Sequence, residues 1–103
     1  MITNYTLSNF RKLPEITKEE LVKLQFSDVD VLNEVEDIRV RRTNIDKAIA
    51  MANSEKYKTY IILKAGEALY KIEAKVLSIR ENLVSTKEGI IIPISFIYSV
   101  DFI

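Results

Sequence analysis

The sequence predicts an α+β protein in which an N-terminal helical arm precedes a five-stranded antiparallel small barrel. Three observations carry that prediction. Apolar residues recur at helical or irregular spacing through the first half and at alternate positions after Tyr57. Two helix-start signatures, Thr17-Lys-Glu-Glu20 and Thr43-Asn-Ile-Asp46, both fall in that first half. The last fifteen residues, Gly89 to Ile103, read as a short buried strand, a corner at Pro93 and a closing strand. A chain of 103 residues accommodates one core, hence a single domain over 1–103. Its parts are a helical or irregular arm (1–42), a helix (43–54) and the barrel (57–103).

In the arm, Tyr5, Leu7, Phe10 and Leu13 supply apolar contacts before Pro14, which disfavours helix at Leu13. Thr17 then caps a short helix with Leu21, Val22 and Leu24 as its buried stripe, ending near Phe26-Ser27. Between Asp28 and Asn53 two patterns compete. Val35, Ile38, Ile45, Ile49 and Ala52 make a helical stripe if Arg42 takes one seam position, whereas Ile38 to Arg42 alternates like a strand. Helix is favoured from Thr43 to Ala52, with an extension back towards Glu34 and a left-handed stop at Asn53.

The barrel begins with Lys58 to Lys64, turned at Ala65-Gly66-Glu67. Tyr70, Ile72, Ala74 and Val76 face inward on the second strand, and Lys71, Glu73 and Lys75 face solvent. The phase slips near Leu77-Ser78-Ile79, so one long strand bends there to serve both sides. A hairpin at Glu81-Asn82 leads to Leu83–Thr86, then a turn at Lys87-Glu88-Gly89 and a fourth strand at Ile90–Ile92. Pro93 breaks the pairing and Ile94-Ser95-Phe96 makes one helical turn. Ile97–Phe102 closes against the fourth strand, with Val100 and Phe102 inward.

Charge is divided along the chain although the total is zero. Residues 1–37 carry net −4, residues 38–64 net +5 and residues 65–103 net −1. An acidic front beside a basic middle attracts it within the fold, or leaves the basic segment for an external polyanion. No apolar run approaches the ~20 residues of a membrane span, and no signal-peptide core is present. A cytoplasmic location is expected.

The chemical inventory is short. There is no His and no Cys, which removes the commonest general base, thiolate nucleophiles and Cys/His zinc sites. Two Gly exclude a phosphate-cradling loop, and Asp28-Val-Asp30 lacks the Gly and closing Glu of a calcium loop. No catalytic residue, metal ligand or cofactor is assigned, and enzymatic activity is not expected. Arg39, Arg41 and Arg42, with Lys56 and Lys58, form a candidate polyanion patch, and Tyr57 and Tyr60 are candidate base-stacking residues. The competing reading has the arginines answering Glu34, Glu36 and Asp37, with Tyr60 packed on the barrel. Ile97, Tyr98, Val100 and Phe102 are candidate contacts at a sheet edge, for a protein partner or a second copy.

This element order, with the corner Ile92-Pro93-Ile94-Ser95, resembles the Sm-like small barrel over residues 43–103. The chain is also similar in tone to short uncharacterised bacterial proteins with an Ala-Asn-Ser helix end (Ala52-Asn53-Ser54) and an Ile-Pro-Ile corner (Ile92-Pro93-Ile94). The Sm resemblance implies strand-edge association into rings and RNA binding at two places. Those places hold Glu81-Asn82 and Pro93-Ile94-Ser95-Phe96 here, not the basic corner that grips RNA. The first expectation is therefore a small interaction module that binds a protein through a sheet edge or apolar groove. RNA binding through the basic patch is the alternative.

Overall fold

The computed structural model describes residues 12–26, 28–54 and 58–102. Along the chain come α1 (Lys18–Leu21), α2 (Val35–Ser54), β1 (Thr59–Ala65), β2 (Ala68–Ala74) and β3 (Val76–Arg80). They are followed by β4 (Leu83–Thr86), β5 (Ile91–Pro93), a 3-10 turn (Ile94–Phe96) and β6 (Ile97–Phe102). The protein is α+β, as its sequence predicts. The six described strands form two antiparallel sheets of three, ordered β2-β1-β6 and β3-β4-β5. No ladder among the described residues joins these sheets into a closed barrel, so the five-stranded closed form is corrected on both counts.

The extra strand comes from a break in the long second strand. At Lys75 the amide donates to Glu88 Oε1 at 3.1 Å, and the carbonyl accepts from the Lys87 amide at 2.9 Å. The turn after β4 thus takes both backbone groups that a continuous strand would offer its own sheet. A register shift between Val76 and Ser78 makes Leu77 the bulged residue, close to the expected phase slip. The last strand also departs from expectation. β6 pairs with β1, from Thr59↔Phe102 to Leu63↔Ile97, and not with the strand before it. The 3-10 turn carries the chain from one sheet to the other.

Two of the three hairpin turns among the described residues illustrate backbone preference. Glu81 and Asn82 both have positive φ, at 53° and 65°, the pattern of a two-residue turn matched to strand twist. Gly66 supplies the left-handed residue between β1 and β2 at φ 62°.

The helices differ from the sequence reading in length and face. Thr17 and Glu20 exchange the two capping-box hydrogen bonds, at 3.0 and 3.1 Å. The helix nevertheless stops after one turn, because Lys23 and Leu24 bond back three residues to Glu20 and Leu21. Leu21 is buried, Leu24 half-buried and Val22 79% exposed, so Val22 leaves the expected stripe. α2 begins at Val35, so the expected extension back towards Glu34 is present and takes in residues 35–42 of the arm, and it runs to Ser54, past the expected stop at Asn53. Its buried seam is Asp37, Arg41, Ile45, Ala48 and Ala52, whereas Arg42 and Val35 are exposed. Hydropathy alone gave the seam to the wrong arginine, since the buried one is held by a carboxylate from outside the helix.

One core lies between the sheets and α2, built on Ile45, Ile61, Leu63, Val76, Val84, Ile92 and Ile97, all at most 1% exposed. Ile62 and Leu69 form a second cluster on the other face of β1 and β2, with Leu13, Tyr60 and Tyr98 against it. Lys71 belongs to that face too and is 6% exposed, which corrects its expected solvation. Its ammonium lies 4.5 Å from the centre of the Tyr60 ring. Its backbone is bridged by the preceding segment, with the Lys71 amide on the Pro14 carbonyl and the Ile16 amide on the Lys71 carbonyl, both at 2.9 Å. The apolar positions Tyr5, Leu7 and Phe10 lie outside the described residues.

Candidate functional site

The basic segment is largely committed to carboxylates. Arg41, 2% exposed, makes a two-pronged contact with Asp30, Nη1 to Oδ1 and Nη2 to Oδ2, each at 2.7 Å. Its Nη1 also donates to the Ile97 carbonyl at 3.0 Å. The exposed Arg39 pairs with both oxygens of Glu36 one turn away. Arg42 reaches Asp46 at 3.2 Å, and Lys58 reaches Glu73 at 3.6 Å. Lys56 and Tyr57 lie outside the described residues. Tyr60 packs in the second cluster beneath Lys71. Arg39 and Arg42 are thus on the surface of α2, Arg41 is inside and Lys58 sits before β1, and each of the four is paired with a carboxylate.

Electrostatics follow these contacts. Burial raises the Asp30 carboxyl, but the Arg41 hydrogen bonds, the Leu32 amide at 2.9 Å and the Arg41 charge outweigh it, and the group is held below its ordinary value. The Arg39 hydrogen bond holds Glu36 below its ordinary value, and Glu36 in turn raises Arg39. Among the described residues no group of three potential metal ligands forms.

The candidate edge residues on β6 fall into two classes. Ile97 and Val100 are buried in the main core. Phe102 is half-buried, with Lys47 Nζ 5.0 Å from its ring centre, and Tyr98 packs on the second cluster. The start of this strand is also engaged, since Arg41 occupies the Ile97 carbonyl and α2 packs against β6. These side chains serve packing, and the outer edge of β6 is covered where Arg41 meets it.

β3 and β5 are the outer strands of the second sheet; α2 packs against β3, and β5 borders an apolar slot. Among the described residues β5 pairs with β4 alone. Its hydrogen-bond phase follows from the bonds flanking it: the Thr86 amide donates to the Ile90 carbonyl at 3.0 Å, and the Ile94 amide to the Asn82 carbonyl at 2.8 Å. Ile90, Ile92 and Ile94 therefore turn their polar backbone groups towards β4. By strand alternation Ile91 turns its N–H and C=O away, and Pro93 turns its C=O away and has no N–H.

Beside this edge runs an apolar slot of about 320 Å³, lined by Leu21, Val22, Leu24, Phe26, Ile91, Ile92, Pro93 and Phe96. None of the eight is charged. Its far wall is the segment leaving α1, fixed by stacking of Phe26 on Phe96 at 4.2 Å between ring centres. Val22 and Ile91 are 79% and 62% exposed at its rim. A larger hollow of about 560 Å³ lies on the other side of Pro93, where Asp30, Arg41, Arg42 and Glu81 contribute two charges of each sign. Both of its arginines are already paired, so the apolar slot is the better candidate site.

The sequence reading expected a sheet edge or apolar groove as the site and placed that edge on the last strand. The missed residues were Val22, Phe26 and Ile91. Their only signal was Val22 and Ile91 standing out of phase with their elements' buried sets. No protein-family model, curated protein or solved structure matches this chain.

Proposed function

We propose that this protein is a small non-enzymatic interaction module that binds another protein at the groove between β5 and the segment after α1. The observation that carries this reading is the uncharged apolar slot running beside a strand edge with no partner among the described residues. Apolar surface kept open beside unpaired backbone is the combination that partner binding consumes. RNA binding has less support, because four members of the basic patch already contact carboxylates.

The test is capture of partners by wild-type protein and by a Val22→Glu variant. Val22 is exposed, so the substitution leaves stability within about 0.5 kcal/mol. A partner retained by wild type and lost by the variant is the expected result. Equal capture by both proteins refutes the groove. Titration of a labelled single-stranded RNA at low salt is expected to show no binding.

A further inference from the structure

We propose that the slot beside β5 takes an extended apolar peptide segment of another protein, added to the sheet as a strand. This rests on the groove reading above and goes further by naming the partner's conformation and chemistry. Two independent features of the slot specify that partner.

The first is backbone polarity. Ile91 directs one N–H and one C=O outward, and Pro93 directs one C=O outward without a donor. A helix satisfies its own backbone groups and has none to exchange along its length with a strand edge. An extended segment has them at alternate residues, which matches the two-residue spacing between Ile91 and Pro93. The edge is short, so main-chain bonds set orientation and register while the side chains that enter the slot supply most of the affinity.

The second feature is the lining. Leu21, Leu24 and Phe96 present apolar surface without a charge among them. A segment with large aliphatic or aromatic side chains at positions i and i+2 fits, one on each side of the Ile91 contact. Charged side chains there lose hydration with nothing to replace it. Recognition of this kind depends weakly on salt, unlike binding by a basic patch.

A second copy of this chain is the less favoured occupant. A head-to-tail ring needs a second edge to receive β5. Arg41 holds the Ile97 carbonyl at the start of β6, and α2 packs against both β6 and β3, two outer strands that could receive it. Self-pairing of β5 through a two-fold axis meets its own Pro93, which lacks the reciprocal donor.

The experiment uses the full-length chain and a phage-displayed library of random twelve-residue peptides. The best-enriched sequence is synthesised with a fluorescent label, together with a version N-methylated at alternate backbone amides. Expected results are enrichment of apolar residues at i and i+2, at least a tenfold loss of affinity for Ile91→Lys, and at least a tenfold loss for the N-methylated peptide. Affinity should change less than twofold between 50 and 500 mM salt. Circular dichroism and thermal melting of Ile91→Lys confirm an intact fold. Equal binding of the N-methylated peptide overturns strand addition and leaves an apolar groove in place. Failure to enrich any Ile91-dependent peptide overturns strand addition, and Val22-independent capture in the previous test removes the groove as well. Concentration-dependent self-association abolished by Ile91→Lys assigns the slot to a second copy and overturns the proposal.

Discussion

Replacing Asp30 with alanine isolates the contact that ties the acidic front to the basic helix. Arg41 is 2% exposed, whereas the Asp30 side chain is 30% exposed. Removing Asp30 leaves a guanidinium inside the protein with the Ile97 carbonyl as its remaining hydrogen-bond acceptor, and its Nε already lacks one. Stranding one member of a buried pair costs about 3–5 kcal/mol, and partial access of water at the Asp30 side puts the expected value at about 3 kcal/mol. For a domain of this size that lowers Tm by about 15 °C. Arg41→Met should cost less, about 1–2 kcal/mol. The carboxylate it leaves can hydrate, and the methionine preserves much of the stem packing. The double variant should recover at least about 1.5 kcal/mol relative to the sum of the single changes.

Urea melts at neutral pH measure these differences. The pH dependence gives a second check with a definite sign. The Asp30 carboxyl is lower in the folded state than its ordinary value of 3.8. Its stabilisation is therefore complete above 3.8 and is lost as pH falls through the lower folded value. Wild type and Asp30→Ala should differ by a constant amount between pH 5 and 8 and converge in stronger acid. An Asp30→Ala variant within about 0.5 kcal/mol of wild type, or additive single changes, refutes the reasoning.

Three further changes test other parts of the structure. Phe26→Ala removes the stack on Phe96 and a wall of the slot, and should cost about 2 kcal/mol in urea melts as well as weakening peptide binding. Gly66→Ala meets no atom within 4 Å, but places a Cβ on φ 62°, so a loss of about 1 kcal/mol is expected from backbone strain alone. A neutral melt there refutes the left-handed turn. Deleting residues 98–103 strips β1 of its β6 partner and removes Val100 from the core, and should abolish the cooperative transition. A truncated chain that melts cooperatively at the wild-type temperature contradicts the observed pairing.

The parts of this fold that the sequence disclosed are those with local causes. Thr17 and Glu20 lie three residues apart, so their reciprocal capping is written in four consecutive positions. The turns at Gly66 and Glu81-Asn82, which set the β1–β2 and β3–β4 hairpins, are equally local. The errors have non-local causes. Arg41 looked like a surface cation because its counterion stands eleven residues away, beyond the reach of any helical repeat. Which arginine belongs to the seam then depends on where Asp30 is delivered, and Thr43 resembled a helix start only because Thr43-Asn-Ile-Asp46 carries a local capping pattern inside a helix that begins at Val35. The break at Lys75 likewise depends on Lys87 and Glu88, which reach it only after a hairpin has formed.

The candidate site has the same non-local origin, and that explains its late appearance. Val22 reads as a buried stripe residue and Ile91 as one of three core isoleucines until the chain folds. Folding brings the end of α1 beside β5, and two phase errors become the two rims of one slot. Each error taken alone is an ordinary exposed aliphatic residue. Their juxtaposition across unpaired backbone is what distinguishes them from chance exposure. The same comparison weakens the basic patch, where residues clustered in sequence are divided by folding. Arg41 goes to the interior, Arg39 and Arg42 go to carboxylates on their own helix, and Lys58 goes to Glu73 across a strand pair. The experiments above separate the two surfaces by salt dependence and by the single residue Ile91.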